Sequence, residues 1–247
     1  MFKTVRVNMS ELTAAEEPLK EEHKLLGGRG LVAQVLNDEV EPTCDPLGPD
    51  NKLVFCTSVF AGMGVSTGNR LSIGCKSPLT GGIKESSAGG TVGTFMSEHG
   101  IKVIIIEGQP DQEGPWVVHV DTEGRVSLDE AADLRTVNNY SLIEKLIARY
   151  GDNIAVASIG PAGERLYRNS TIQVTEYGTQ HPSRAAARGG VGSVMGSKKI
   201  KAVVLEKASK RFKPSLVDEQ KFKKVRTEFN KILAEGSADD ELRKMGT

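Results

Sequence analysis

The chain carries one glycine-rich stretch twice, and this duplication constrains its fold more than any other feature. Residues 86–107 read SSAGGTVGTFMSEHGIKVIIIE, and residues 187–206 read ARGGVGSVMGSKKIKAVVLE. With one residue of slippage, the paired glycines, a methionine, an Ile-Lys pair and a closing glutamate coincide. The upstream segments 53–62 and 153–163 are spaced by about the same interval. A repeated loop, helix and strand indicates two similar half-sites that face one ligand, or one ligand with two similar halves.

The composition argues against several classes of function. Lys+Arg and Asp+Glu both number 32, so the formal net charge is zero and nothing in this balance favours nucleic acid or an anionic membrane as a partner. No apolar run approaches a membrane span, and we expect a cytoplasmic protein. The three cysteines are widely spaced without a C-x-x-C pair, so they supply no recognisable zinc or iron–sulfur ligand set.

The hydropathy pattern predicts an α+β fold with largely antiparallel sheet. Short apolar or alternating runs joined by hairpin-length connections predict strands, at 2–9, 52–58, 70–75, 82–85, 101–107, 154–159, 170–174 and 200–205. Residues 115–128 predict a hairpin with its turn at 121–124. Apolar residues at helical spacing predict fewer helices, at 20–37 with a glycine break, at 137–150 and at 216–234.

The glycine-rich loops approach two phosphate-binding signatures and match neither. The third glycine after Gly190-Val-Gly192 comes one residue late for a dinucleotide fingerprint, and Gly196-Ser197-Lys198 reverses the order of a P-loop. A generic anion site remains possible on these loops, because glycines that lead into a helix leave several N–H groups unpaired. The alternative is that the glycines serve only tight turns and close packing.

Three arginines are candidate ligand contacts. Arg184 and Arg188 flank the second loop with only alanines between them, and Arg70 follows another glycine-containing loop. Their guanidinium groups can bind phosphate or a heterocycle edge in a bidentate manner; the alternative is an ordinary solvated surface role. The four histidines form no metal-spaced pair, and no Ser/His/Asp, Cys/His or paired-carboxylate arrangement stands out. We therefore identify no catalytic residues and no self-contained catalytic machinery.

Seven segments, in order, resemble the N-terminal domain of the tungsten- or molybdenum-containing aldehyde ferredoxin oxidoreductases. They are VRVNMS (5–10), LLGGRGLVAQVL (25–36), DPLGPDNKLVF (45–55), STGNRLSIGCKSPLTGGI (66–83), SSAGGTVGTF (86–95), ASIGPAGE (157–164) and SRAAARGGVGSVMGSKKIKAVV (183–204). The resemblance implies two similar β-sheets related by a pseudo-two-fold axis, as a base under a metal held by two pyranopterins. It assigns 1–210 to this domain and 211–247 to a linker and the first helix of a following domain that is truncated or separately encoded.

The resemblance also implies particular contacts. The backbone carbonyls of Ser87 and Ala185 would bind a Mg²⁺ ion that bridges the pterin phosphates. The arginine at Arg70 would lie between a pterin and a [4Fe–4S] cluster. Further cofactor contacts would come from Gly89, Arg184, Ala187 and Arg188. Two positions depart from the family pattern. Ser87 stands where Asn is common. Ala187 stands where Gly is common, and an alanine would resist a positive φ.

The implied reaction is oxidation of an aldehyde to a carboxylic acid, with ferredoxin as the electron acceptor. The cluster cysteines would come from the remaining domains or from a partner subunit, so we expect this chain alone to be inactive. Two alternatives stay open within the resemblance: reduction of an aromatic acyl thioester by a related branch, and a non-enzymatic module that carries a pterin cofactor. A phosphate-ligand binder without catalysis is a third alternative.

Overall fold

Two six-stranded sheets form the framework of the protein. The computed structural model describes residues 1–236. The first sheet has the order β2-β1-β6-β3-β4-β5 and contains β1 (Lys3–Asn8), β2 (Thr13–Pro18), β3 (Leu53–Thr57), β4 (Leu71–Lys76), β5 (Ile83–Ala88) and β6 (Ile101–Glu107). The second has the order β11-β10-β9-β12-β7-β8 and contains β7 (Trp116–Val120), β8 (Val126–Glu130), β9 (Ile154–Ser158), β10 (Ile172–Val174), β11 (Arg184–Ala186) and β12 (Ile200–Glu206).

The helices of the described residues are few and mostly short. They are α1 (Gly28–Glu39), α2 (Val92–Glu98), α3 (Asn139–Tyr150), α4 (Pro161–Glu164), α5 (Val191–Ser197) and α6 (Glu219–Glu235), together with two 3₁₀ turns at Glu21–His23 and Ala132–Leu134. Asn138 caps α3 by accepting from two backbone N–H groups, and Gly151 ends it at φ 89°. None of these helices has the length and apolar character needed to cross a membrane.

The strand order shows that the duplication covers the whole framework, not only the two segments found in the sequence. Read from the other edge, the second sheet is β8-β7-β12-β9-β10-β11, which matches β2-β1-β6-β3-β4-β5 strand for strand. In each sheet one pair is parallel, β1 with β6 and β7 with β12, and the other four pairs are antiparallel. The predicted α+β fold with two similar, largely antiparallel sheets is confirmed.

Alternation along the central strands builds a layered core. In β6, Ile104 and Ile106 point into a cluster shared by both sheets, whereas Val103 and Ile105 pack on the opposite face beneath α1. In β12, Val203 and Leu205 likewise point into the shared cluster, and Ala202 and Val204 pack in the layer beneath α3. Successive side chains of a strand point to opposite faces, so a strand buried on both faces has an uninterrupted apolar sequence.

The strands β6 and β12 each contain a buried lysine, at the same irregularity in their pairing with the parallel neighbour. The pairing of β1 with β6 skips Lys102, and the pairing of β7 with β12 skips Lys201. Both side chains are buried, and burial lowers the pKa of both ammonium groups. Lys102 donates to the Ser58 carbonyl at 3.1 Å, while Lys201 donates to the Val137 carbonyl at 2.7 Å and pairs with Glu164. The two halves of the chain, each built around one sheet, thus share a bulge. They compensate the charge of its lysine differently.

Three elements escaped sequence prediction. The strand β2 is mostly polar and half exposed, so it lacks the apolar alternation of a half-buried strand; β1 supplies its pairing. The strand β11 has only three residues, and α4 has four, which is too short for a periodic signal.

The segment after β12 crosses back to the first half. Phe212 packs its ring against Phe2, with a centroid distance of 4.7 Å. On α6, Arg226 donates to the Met63 carbonyl at 3.0 Å and Asn230 donates to the Gly64 carbonyl at 3.1 Å. The assignment of 211–247 to a following domain stays a prediction, and its residues 237–247 lie outside the described part of the chain.

Candidate functional site

The edge strands of the two sheets meet and border a cleft. The Arg188 N–H donates to Ser86 Oγ at 3.1 Å, and Ser77 Oγ donates to the Gly189 carbonyl at 2.8 Å, which ties β5 to the loop after β11. Beside this junction lies a cleft of about 510 Å³. Its walls are formed by Arg70, Ser87, Ala88, Gly89, Gly90, Glu176, Tyr177, Ser183, Arg184 and Ala185. Five of the seven residues predicted for cofactor binding line it.

Arg70 is held over one wall of the cleft by Ser87. Its Nε donates to Ser87 Oγ at 2.9 Å, and one terminal nitrogen lies 3.4 Å from the Ser87 carbonyl oxygen. Arg70 directly precedes β4, and Ser87 lies in β5, its antiparallel neighbour. The guanidinium is therefore positioned by strand register although the side chain is exposed.

Ser87 and Ala185 occupy equivalent places in the two halves. Starting from matched residues of β6 and β12, the cross-strand partners form two parallel rows. The first row is Val103, Cys56, Ser72 and Ser87. The second row is Ala202, Ser158, Gln173 and Ala185. Register therefore brings the two positions predicted for Mg²⁺ binding to the same depth on the two facing edges.

Arg184 enters the cleft from the second half and is already paired. One terminal nitrogen lies 3.2 Å from a carboxylate oxygen of Glu176. Hydrogen bonds from Ser183 and Thr179, together with Arg184, lower the pKa of Glu176, so this carboxylate is ionised. Sequence reasoning missed Glu176 and its neighbour Tyr177, whose hydroxyl contacts Thr94, because neither lies in the repeated segments.

The two adjacent glycines of the first loop, Gly89 and Gly90, serve different needs. A Cβ at Gly89 would meet only the Arg184 side chain, at 4.0 Å, so this residue borders open space. A Cβ at Gly90 would lie 2.4 Å from the Thr175 carbonyl oxygen, and the residue has φ +99°. The N–H of Thr91 also donates to that carbonyl. Packing and turn formation therefore explain Gly90, whereas Gly89 leaves open space beside the cleft.

Ala187 and Arg188 lie beyond the cleft wall, and both are exposed. The left-handed residues of this loop are Gly189 and Gly190, at φ 81° and 74°. Ala187 is not among the residues with positive φ. The alanine therefore imposes no backbone strain at this position, where the family commonly has glycine.

The cysteines are distributed through the first half without reactive surroundings. Cys56 and Cys75 are buried in β3 and β4, and burial raises the pKa of each thiol to about 12. Burial also raises the pKa of Cys44. Cys75 belongs to the cluster shared by both sheets and Cys56 to the layer beneath α1, so these two thiols lie on opposite faces of the first sheet and are not positioned to bind one cluster together.

These observations define a duplicated two-sheet domain that has an arginine-lined cleft between the edges of its sheets. Residues 4–207 match the family model of the aldehyde ferredoxin oxidoreductase N-terminal domain. The chain belongs to this family.

Curated relatives agree with this assignment. The chain is 35% identical over 249 residues to a tungsten-containing aldehyde ferredoxin oxidoreductase of Pyrococcus furiosus, covering 98% of this chain and 39% of the relative. It is 37% identical to the protein of that name in Thermococcus kodakarensis, with the same coverage. It is 30% identical to an aliphatic sulfonate oxidoreductase, WOR-like subunit, of P. furiosus, covering 92% of this chain and 36% of the relative. The chain thus spans about two fifths of the length of these relatives.

One solved structure shares the fold. The active-site complex BamBC of benzoyl coenzyme A reductase, solved with 1,5-dienoyl-CoA, superposes with a TM-score of 0.84 at 23% identity. The match covers 94% of this chain and 34% of that chain.

Proposed function

We propose that this chain is the cofactor-binding N-terminal domain or subunit of a tungsten or molybdenum bis-pyranopterin oxidoreductase. The complete protein would oxidise aldehydes to carboxylic acids with ferredoxin as the electron acceptor. One observation carries the proposal: the cleft joins Arg70 of the first half and Arg184 of the second with the register-matched Ser87 and Ala185. Family membership supports the class of cofactor.

The cleft fits an anionic, two-part group. Its volume of about 510 Å³ lies within the roughly 300–1,000 Å³ of small-molecule sites. Two guanidinium groups outnumber the one carboxylate, Glu176, among its lining residues, so the cleft is net positive. The space beside Gly89 admits a ligand close to the backbone. Arginine forks suit phosphate and heterocycle edges.

We assign the Mg²⁺ contacts to the carbonyl oxygens of Ser87 and Ala185. Mg²⁺ prefers hard oxygen ligands and shares them with phosphates, and an edge strand has main-chain groups without a strand partner. Gly89 and Arg184 would contact the pterins inside the cleft. Ala187 and Arg188 would contact them from its outer rim, because both are exposed just past β11.

When bound, the cofactor supplies the two-electron oxidation of the aldehyde, and a [4Fe–4S] cluster passes the electrons on. Arg70 holds a fixed positive charge between the cleft and the surface loop 64–69, which would stabilise added negative charge on neighbouring redox groups. The cluster cysteines would come from the remaining domains or a partner subunit, because Cys56 and Cys75 are buried on opposite faces of the first sheet.

The test uses the complete protein that contains this domain. We expect metal analysis to find tungsten or molybdenum, oxidised pterin fluorescence to report two pterins per metal, and aldehyde-dependent reduction of ferredoxin. An Arg184→Met variant should lose at least tenfold in pterin content. Arg125→Met, in the exposed hairpin of β7 and β8, should retain it. A complete protein without pterin would overturn the proposal.

The competing reactions give different outcomes in the same experiment. Reduction of an aromatic acyl thioester is the alternative within the fold, and the 23% identity to the BamBC complex supports shared architecture only. A pterin carrier without catalysis would retain cofactor yet show no turnover. The 35% and 37% identities to aldehyde oxidoreductases favour aldehyde oxidation.

A further inference from the structure

The first half contains a cluster of potential metal ligands far from the glycine-rich loops in sequence. Glu22 and His23 belong to the 3₁₀ turn Glu21–His23, and Asp38 belongs to the last turn of α1. One ligand atom from each of the three lies within 4.8 Å of the others. Glu22 and Asp38 are exposed, whereas His23 is only 3% exposed.

The second half of the chain contains an equivalent of this cluster in which protein side chains alone balance the charges. The backbone bond from Leu26 N to His23 O, at 3.1 Å, corresponds to the bond from Val137 N to Leu134 O, at 3.3 Å. The two 3₁₀ turns and the two helices, each helix twelve residues long, therefore match position by position.

This match assigns an equivalent to each member of the cluster. Glu22 corresponds to Asp133, His23 to Leu134 and Asp38 to Arg149. In the second half, Arg149 and Asp133 form an ion pair at 2.8 Å beside the buried Leu134.

The first half has no arginine in this cluster and has a second carboxylate in its place. Asp38 stands where the cation stands in the second half, so two carboxylates face each other. His23 stands where the leucine stands, and its Nε2 is buried without a hydrogen-bond partner among the described residues. Like charges at this separation repel, and an unpartnered buried nitrogen is costly.

We propose that Glu22, His23 and Asp38 form a binding site for a divalent transition-metal ion of the Zn²⁺ class. One imidazole nitrogen and two carboxylates are a ligand set that such ions take, with a further position open to water. The metal supplies the positive charge that Arg149 supplies in the second half. Ligand atoms about 2 Å from zinc lie roughly 3.5 Å apart, so modest closure of the observed spacing completes the site.

One ligand is already oriented for this role. Gln34, one turn earlier on α1, donates to both carboxylate oxygens of Asp38, at 3.0 and 2.8 Å. These hydrogen bonds lower the pKa of Asp38. Such outer contacts fix the direction of a metal ligand. The charge of the nearby Lys20 also favours the ionised Asp38, but its ammonium group forms its salt bridge with Glu39, at 3.8 Å, and not with the cluster.

The test is calorimetric titration of the 247-residue chain with Zn²⁺, without cofactor or partner. We expect one saturable site, and a change in the ¹⁵N shifts of the His23 ring on binding. Asp38→Asn and His23→Leu should each weaken binding at least tenfold. The double variant His23→Leu/Asp38→Arg reproduces the arrangement of the second half, so it should fold and lose the site.

Matched changes in the second half provide the control. Asp133→Asn alters the equivalent position and should leave Zn²⁺ affinity unchanged. Binding that survives His23→Leu and the double variant within twofold of the unmodified chain would overturn the proposal, as would the absence of saturable binding. Neither result depends on the pterin cofactor, so this proposal and the proposed function fail independently.

Discussion

Arg6 and His119 occupy the same position in the two halves of the molecule. Arg6 pairs with Ile105 of β6, and His119 pairs with Val204, the equivalent residue of β12. Each contacts the glutamate that closes its central strand: Arg6 donates to Glu107 at 3.0 Å, and His119 Nε2 lies 2.8 Å from Glu206. The duplicated scaffold has kept the place of the polar cluster while it exchanged a permanent cation for an imidazole.

Arg6 and Lys52 both donate to Glu39. We therefore expect the stability of the fold to fall in acid as Glu39 becomes protonated. Burial alone would raise the pKa of this carboxyl, but hydrogen bonds from Arg6 and Lys52 lower it from its ordinary 4.5 to about 2. A folded-state pKa below the unfolded value contributes stability above pH 4.5 that is lost as the pH falls towards 2.

We expect Glu39→Gln to remove about 1–2 kcal/mol of this pH-dependent stability, after allowance for solvent screening. The measurement is the free energy of unfolding in urea between pH 5 and pH 2.5. Glu123→Gln, in the exposed hairpin turn, is the control. An identical pH slope in Glu39→Gln and the unmodified chain would contradict the assignment.

Replacement of the two lysines at the bulges of β6 and β12, Lys102 and Lys201, should change the stability of the fold in different directions. Lys102 has no carboxylate partner among the described residues, so Lys102→Met removes a buried charge and should be neutral or stabilising by up to about 1 kcal/mol. Lys201→Met leaves Glu164 without its partner and should cost about 2–3 kcal/mol. Urea melts of both variants at pH 7 test the contrast. Equal destabilisation would show that the lysines play the same role.

Gly90 should tolerate no side chain. Its φ of +99° and the 2.4 Å approach of a Cβ to the Thr175 oxygen combine backbone strain with a clash against main chain. We expect Gly90→Ala to destabilise the protein by about 2–4 kcal/mol. Gly82→Ala is the matched control, because a Cβ there meets nothing within 4 Å. A thermal melt in which both variants unfold together would refute this reading.

Glu176 should weaken anion binding in the cleft, because its carboxylate engages Arg184 at 3.2 Å. In the 247-residue chain, Glu176→Gln releases this guanidinium and removes a negative charge from the lining. The affinity for pyrophosphate, measured by calorimetry at low ionic strength, should rise at least threefold. Glu123→Gln should bind like the unmodified chain. A lower affinity in Glu176→Gln would mean that the carboxylate orients Arg184 productively.

Sequence reasoning predicted the elements whose signal is local. The apolar run 101–107 and the helix near 139–150 were recovered because burial on both faces, or on one helical face, leaves a period in the sequence. The strand β2 was missed because neighbouring β1, not its own residues, determines its conformation. The layered packing of both halves became visible only from strand order.

Five of the residues that line the cleft were predicted from the sequence, but their arrangement was not. Arg70 and Arg184 stand beside glycine loops, which the sequence shows. Their association with Ser87 and Glu176 depends on strand register and on the meeting of two sheet edges, which no local pattern encodes. The equivalence of His23 and Leu134 was likewise hidden, because it rests on backbone hydrogen bonds and not on residue identity.

The matched depth of Ser87 and Ala185 on β5 and β11 bears on how such a domain can change over time. A carbonyl oxygen is common to all residue types, so a contact made through it survives replacement of the side chain. Serine in one half and alanine in the other would therefore be equivalent for a ligand that contacts only the main chain. Substitutions in either copy would leave the proposed main-chain contact intact, whereas a one-residue deletion in β4 or β10 would shift the strand register and abolish it.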